Sequence, residues 1–450
     1  MSFPKDFVWG AATASYQIEG AAFKDGKGPG IWDVFCKKPG AVWMDHSGDV
    51  ACDHYHRYAE DVGIMKNIGL NGYRMEVSWP RIMPEGCGAV NAKGIDFYDR
   101  LFDELLKAGI TPWVTLYHWN LPQALQERGG WQNPDSPKWF GDFTAIVVDK
   151  FSDRVVHWMT VNEPQVIINH GLVTGCHAPG FKISFAEALQ AGHNLLLAHG
   201  RSVSAIRSGA KAVPQIGYAP VGWSRRSASD DPRDVDAARH ATFEIDPTSL
   251  WNSAWWMDPV FLGRYPDQGL EAYGAAAPKF TDEDMKIISQ ELDFCGVNIY
   301  TAMAVKAGAD GRPELVPNTV GYRMNTYDWP ITPDVLYWAG KFFYERYKKP
   351  LVITENGTCI AECVSKDGSV HDPQRTEFIA DHLIAVKRAI DEGIPYRGYF
   401  YWSLLDNFEW HWGYKHRFGM VHVDFETGER IIKDSGKFYG EVIRSGGGNL

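Results

Sequence analysis

Two apolar runs of this chain end in similar chemistry. Trp158–Pro164 reads WMTVNEP and Leu351–Gly357 reads LVITENG. Each begins as a buried strand would, and each closes on a glutamate beside an amide: Asn162-Glu163 in the first, Glu355-Asn356 in the second. A single glutamate in such a place is ordinarily a cap or an ion-pair partner. Two of them, each at the end of an apolar run, suit a reaction that needs one carboxylic acid and one carboxylate held at different pKa values. Glycosidic bond cleavage is such a reaction. One carboxyl group protonates the departing oxygen while the other attacks the anomeric carbon or activates water.

Other apolar runs end in residues that fit this chemistry. TASYQIEG supplies Gln17, YRMEVSWPR supplies Arg74, LYHWNLP supplies His118, GVNIY supplies Asn298 and Tyr300, and YWSLLDNFEW supplies Trp402, Glu409 and Trp410. Sugar hydroxyls need directional donors and acceptors, which Gln17, His118, Asn162 and Glu409 would provide. Pyranose C–H faces need flat apolar platforms, which Trp402 and Trp410 would provide. Arg74 and Tyr300 could hold one carboxylate ionised, while burial against an indole keeps the other protonated. Taken singly, His118 reads as structural and the two tryptophans as core; the combination carries the reading. Glu19 reads as a helix or loop charge and is set aside. The pair of histidines in DHYH (Asp53–His56) is spaced i, i+2, which puts them on different helix faces, and reads as ordinary helix surface. No metal-ligand signature, nucleophile elbow or phosphate loop is present, so neither a metal nor a cofactor is expected.

These residues need a scaffold that gathers strand ends. Eight short apolar runs recur along the chain: Phe7–Ala12, Gly72–Ser78, Thr111–Tyr117, Val155–Val161, Gln215–Tyr218, Phe294–Tyr300, Leu351–Thr354 and Tyr396–Leu404. Their continuous apolarity fits strands covered on both faces. Helical patterns lie between them. Asp53–Gly69 stops on Gly, and Asn91–Gly109 opens on Asn and stops on Gly, residues suited to start and stop a helix. Phe140–Phe151, Ser184–Ser208 and Pro373–Gly393 read similarly. Eight strand–helix units favour an α/β fold of the (β/α)8 barrel type over a doubly wound sheet. No linker divides the chain, so residues 1–450 read as one barrel domain with extended strand-to-helix loops. In such barrels the chemistry sits at the C-terminal ends of the strands, where Glu163 and Glu355 would lie.

Bulk properties narrow the setting. With 45% hydrophobic residues among 450, the chain can bury a large core. The 18 tryptophans supply platforms as well as core filling. A net charge of −11 without clustered cations argues against nucleic-acid binding. Seven scattered cysteines, with no C-x-x-C pair, argue against a disulfide framework. The N-terminal MSFPKDFVWG lacks the apolar core of a secretion signal, and no apolar run is long enough to span a membrane. These features predict a soluble cytoplasmic protein that acts on small molecules, with no nucleic-acid or membrane partner. They set no oligomeric state.

The motifs together resemble the β-glucosidases of glycoside hydrolase family 1. The matching runs are FVWGAATASYQIEGA, YRMEVSWPRI, LYHWNLPQALQERGGW, VNEP, HAPG, GVNIYT, VITENG and YWSLLDNFEW…GYKHRFGMVHVDF, spanning roughly Phe7 to Phe425. The resemblance implies a (β/α)8 barrel and a retaining double displacement. Glu163 would be the general acid/base, and Glu355 the nucleophile that forms a glycosyl-enzyme. Gln17, His118, Asn162, Glu409 and Trp410 would hold the hydroxyls of the terminal sugar, with Trp402 beneath its ring and Phe418 near C6. Arg74, Asn298 and Tyr300 would support the nucleophile, and Trp329 would form a platform for the next unit. Retention implies carboxyl groups about 5–5.5 Å apart.

The implied substrates are β-glucosides and short cellobiose-type oligosaccharides, with β-fucosides and β-galactosides secondary. Transglycosylation is open to any glycosyl-enzyme. Phosphoglycosidases of this family usually lack the glutamate of NFEW, so Glu409 argues against the alternative of a 6-phospho-β-glucosidase. The two glutamates argue against a non-catalytic sugar-binding barrel. The chain departs from the family pattern at Asn120, Gln165, Asp328–Leu336 and Trp412. Thr358 and Cys359 are expected at the pocket rim, and the sequon Asn356-Gly357-Thr358 is expected to be coincidental.

Overall fold

The computed structural model describes residues 2–450. Eight parallel strands close into a barrel: β1 Val8–Ala12, β2 Gly72–Glu76, β3 Thr111–Tyr117, β4 His157–Asn162, β5 Gln215–Ala219, β6 Phe294–Asn298, β7 Leu351–Asn356 and β8 Tyr396–Trp402. Each strand pairs with its sequence neighbours, and β1 closes the ring against β8. The (β/α)8 architecture read from the sequence is the one observed. The strands are buried on both faces almost throughout, which is why they read as unbroken apolar runs instead of alternating ones.

The pairing register decides which side chains share a level. Ala12 lies beside Trp402 on one side and Arg74 on the other. Glu355 lies beside Asn298, just after a register shift at Ile353. Strand ends differ from the sequence reading by one or two residues. β2, β6 and β8 stop at Glu76, Asn298 and Trp402, so Ser78, Tyr300 and Leu404 lie beyond the ladder. β4 and β7 run further than expected and take Asn162 and Glu355 into the sheet.

Helices Ser136–Phe151, Phe185–Gly209 and Pro373–Asp391 match three of the helical patterns. Helix His54–Ile68 ends on Gly69, whose φ of 98° is a left-handed stop. Helix Ala92–Lys107 starts after Asn91, but that side chain does not cap it; its amide nitrogen donates to Asp25 O and Arg81 O and fastens a loop instead. The DHYH reading needs a correction as well. His56 is exposed, but His54 is buried against Asp61 at 2.8 Å, and Asp61 also accepts from Arg430 at 2.9 Å.

Loops that leave the C-terminal ends of the strands carry structure of their own, which the sequence reading did not include. The loops after β5 and β6 build a three-stranded sheet from Arg226–Ser227, Ala304–Ala307 and Pro313–Val316. The loop after β8 forms the hairpin Val421–Val423 and Arg430–Ile432. Among the described residues no helix is long and apolar enough to cross a membrane, and none of the seven cysteines is paired.

Candidate active site

The strand ends converge on a cavity of about 540 Å³. Ten of the residues singled out from the sequence line it: His118, Glu163, Asn298, Tyr300, Trp329, Glu355, Trp402, Glu409, Trp410 and Phe418. Gln17, Arg74 and Asn162 are fully buried and do not line it. Gln17 donates to Asn407 Oδ1 and Phe408 O. Arg74 and Asn162 form a hydrogen-bonded layer behind the wall.

That layer fixes the two glutamates in different ways. Arg74 donates one Nη to Glu355 Oε1 at 2.5 Å and the other to Asn162 Oδ1 at 2.6 Å. Tyr300 donates its hydroxyl to Glu355 Oε2 at 2.7 Å. Glu355 therefore accepts a charge-assisted bond on one oxygen and a phenol on the other, both of which favour its anion. Among the described residues Glu163 has no cation partner. Its Oε1 accepts from the neutral amide of Asn298 at 2.8 Å, and that amide also donates to Asn162 Oδ1 at 2.9 Å. Thr354 holds the amide's other end, donating to Asn298 Oδ1 at 2.7 Å.

The carboxyl pKa values follow. Burial, and then the charge of Glu355, push Glu163 up to about 8. Burial raises Glu355 too, but the Arg74 guanidinium and the Tyr300 hydroxyl oppose it. A proton shared between the pair therefore resides on Glu163. The backbone contributes as well. Glu163 sits at φ 47°, a left-handed conformation that costs a non-glycine residue roughly 1–2 kcal/mol. It turns the side chain off the end of β4 while its N–H still donates to Ala219 O in β5 at 2.8 Å. Gly357 has a different reason to be glycine: a Cβ there would lie 1.8 Å from the carbonyl oxygen of Trp402. The segment after Glu355 thus packs directly on the end of β8.

Among the described residues, four buried polar atoms in this region have no protein partner: Arg74 Nε in the layer behind the wall, and Gln17 Oε1, His118 Nδ1 and Glu409 Oε2. Asn162 Nδ2 donates to His118 Nε2 at 3.0 Å, which places the imidazole proton on Nδ1. Burial, with the Arg74 charge behind it, holds His118 neutral. Burial, and more weakly the Glu355 charge, raise Glu409 to about 8. An imidazole donor, an amide acceptor and a carboxyl oxygen left unpaired in a buried region suit a ligand that carries hydroxyl groups, which both donate and accept. Indoles border it: Trp402 lies nearly parallel to His118 at 5.6 Å, and Trp329 stacks on Tyr327 at 4.8 Å.

Residues 1–447 match the model of Glycosyl hydrolase family 1. The chain belongs to that family. It is a glycosidase, and its relatives are alike over their whole length. It is 44% identical to Beta-glucosidase A of Acetivibrio thermocellus, with 99% of each chain covered. It is also 44% identical to the 1,4-beta-D-glucan glucohydrolase of Thermotoga neapolitana, again with 99% of each covered. Among solved structures, the beta-glucosidase of Thermotoga maritima in complex with glucoimidazole superposes with a TM-score of 0.90 at 43% identity, covering 99% of both chains.

Several features of this glycosidase were not visible in its sequence. Tyr327 donates to Glu409 Oε1 at 3.0 Å across 82 positions, from a loop without periodicity. Glu76 is buried and receives Ser15 N at 2.9 Å and His118 N at 2.7 Å, bracing the first and third strand ends. Glu19, set aside as a loop charge, is a buried partner of Arg81 at 2.8 Å. The departures from the family pattern include two structural residues. Gln165 bonds both backbone groups of Val221, at 3.0 and 3.2 Å, and Asn120 accepts from Trp32 N at 3.3 Å. Thr358 and Cys359 are fully buried and do not form a rim, because Arg375 and Thr326 pack over them. The sequon residue Asn356 is also fully buried, donating to Ile299 O at 2.7 Å and accepting from Tyr399 at 2.8 Å, so a glycan has no access to it.

Proposed function

We propose that this glycosidase is a retaining β-glucosidase that removes terminal β-D-glucosyl units from aryl and alkyl glucosides and short oligosaccharides. The observation that carries the proposal is the asymmetry of the two glutamates on one cavity. Glu355, paired with Arg74 and Tyr300, is the nucleophile. Glu163, held near pKa 8 by burial, is the acid that protonates the leaving oxygen and then, as a carboxylate, the base that activates water. His118 Nδ1 and Glu409 Oε2 are the free hydroxyl partners on the cavity wall, and Gln17 Oε1 is an unpaired acceptor in the buried layer beyond it. Trp402 and Trp410 border the terminal sugar, Phe418 sits near C6, and Trp329 faces the next unit. Asn162 and Asn298 orient the machinery from behind. Two relatives named beta-glucosidase and glucan glucohydrolase support the glucose specificity. A Thermotoga maritima structure in complex with galacto-hydroximolactam supports β-galactoside side activity, and β-fucosides, which keep the same C4 geometry, belong with it. Capture of the glycosyl-enzyme by a sugar or alcohol would give transglycosylation.

Two measurements test this reading. The first compares kcat/KM on aryl β-glucoside, β-galactoside, β-fucoside and β-glucoside 6-phosphate. A phosphate brought beside Glu409 loses its hydration in a buried pocket and meets either the carboxylate or, below about pH 8, a neutral carboxyl group that offers it no cation, so the phosphorylated sugar should react on the order of 10²-fold or more slowly than the glucoside. Preference for the phosphorylated sugar would make the 6-phospho-β-glucosidase alternative correct. The second is the pH profile of kcat/KM, which reports the free enzyme. Glu355 must be ionised, and its pKa is raised above the ordinary carboxylate value, so activity should fall as pH drops through that raised value. Glu163 must be protonated, so activity should fall again as pH rises through about 8. Glu163→Gln should remove the basic limb; a basic limb unchanged in that variant would assign it to another group.

A further inference from the structure

The loops after β4 and β8 meet at one side of the cavity. Cys176 and His177 lie in the first, within GCHAPG, and His411 lies in the turn Trp410–Trp412 of the second. The Cys176 Sγ and one ring nitrogen from each histidine all fall within 4.8 Å of one another. His177 Nε2 and His411 Nδ1 are 3.0 Å apart. The proposed hydrolysis uses none of the three. His177 is buried, while Cys176 and His411 are partly exposed, which gives a solvent route to the cluster.

Two imidazoles and a thiolate form the donor set of a four-coordinate site with one open position. With metal–nitrogen distances of about 2.0–2.1 Å and a metal–sulfur distance of about 2.3 Å, tetrahedral ligand atoms lie roughly 3.3–3.6 Å apart. The observed spacing therefore needs only small side-chain rotations. The set holds no oxygen anion, which disfavours calcium and magnesium and favours borderline ions such as Zn²⁺ and Co²⁺. Outer contacts fix the ligands: Thr174 Oγ1 lies 3.2 Å from Cys176 Sγ, and the His177 ring packs edge-on to Trp32 at 5.3 Å.

We propose that Cys176, His177 and His411 bind one divalent transition-metal ion, and that its binding inhibits the enzyme. His177 and His411 both line the cavity, so an ion held between them lies at its wall and fastens the β4 loop to the β8 loop. The inhibitory half rests on the hydrolytic reading above; the binding half does not. As the metal–sulfur bond forms, the Cys176 thiol releases its proton to solvent. The imidazole that donates in the His177–His411 contact moves its proton to its other ring nitrogen. No electron is transferred.

Titration of the full chain with Co²⁺, followed by absorbance, tests binding without any need for catalysis. The expected result is a thiolate-to-cobalt charge-transfer band that saturates at one equivalent per chain and is displaced by Zn²⁺. The band should be lost in Cys176→Ala and in His411→Ala, and kept in Cys363→Ala, which changes an exposed cysteine elsewhere. No saturable band, or the same band in Cys176→Ala, would overturn the site. For the inhibitory half, Zn²⁺ should reversibly slow aryl glucoside hydrolysis by the wild type, with recovery on chelation. Cys176→Ala should keep its metal-free rate and lose the zinc sensitivity. Equal inhibition of both proteins would overturn the inhibitory role while leaving the binding result to stand by itself.

Discussion

Replacing Glu355 by Gln abolishes glycoside hydrolysis while the barrel stays folded, with kcat lowered on the order of 10⁴-fold or more, since covalent catalysis is lost entirely. The choice of substitution matters. Arg74 is fully buried and its charge is balanced by Glu355 at 2.5 Å. Glu355→Ala leaves that guanidinium without its anion, and breaking a buried pair in this way costs about 3–5 kcal/mol. Glu355→Gln keeps an acceptor for Tyr300 or Arg74 and should unfold nearer the wild-type temperature. Both variants should be inactive on all leaving groups, and the Ala variant should also show the lower Tm. Turnover retained in a clean preparation of either would remove Glu355 from the role of nucleophile.

Replacing Glu163 by Ala gives a different pattern, because protonation matters in proportion to how poor the leaving group is. General acid catalysis is worth about 10²–10⁴-fold. For cellobiose or an alkyl glucoside, kcat/KM should fall by about that amount. For a nitrophenyl glucoside, whose anion departs without a proton, kcat/KM should fall by less than about 10-fold. Hydrolysis of the glycosyl-enzyme also loses its base, so with activated substrates kcat should drop together with KM as the intermediate accumulates. Equal losses on both substrate types would show that Glu163 does not deliver the proton. The environment of Glu163 makes the split testable: its single amide partner, Asn298 at 2.8 Å, is neutral, so removing the carboxyl leaves no buried charge unpaired at that contact.

Much of this arrangement could be read before any fold was known. The eight strands were legible because burial on both faces writes itself as unbroken apolarity, as in Leu351–Thr354. Glu163 and Glu355 were legible because a carboxylate at the end of such a run is out of place in a core. Barrel closure was inferred only from strand count, since the pairing of β1 with β8 joins Val8 to Gly398 and leaves no local trace. The layer behind the cavity was only half legible. Arg74 and Tyr300 were expected beside a carboxylate, but the two donors that Asn162 receives depend on three strands meeting at one level. Tyr327 and Glu76 were missed for related reasons. Tyr327 reaches Glu409 from an irregular loop, and Glu76 acts within the sheet by holding the backbone of His118. The Cys176–His177–His411 cluster escaped because its ligands come from two loops 234 residues apart, a spacing that no metal motif encodes.

The claim at the centre is that Glu355 becomes glycosylated during turnover. The direct measurement is mass mapping of the enzyme after incubation with an activated 2-deoxy-2-fluoroglucoside, whose fluorine slows hydrolysis of the intermediate more than its formation. The account predicts one fluoroglucosyl unit per chain, attached to the peptide containing Leu351–Gly357 and localised on Glu355. A label on another residue, or release of the α-configured sugar with no labelled enzyme at any time, would contradict it.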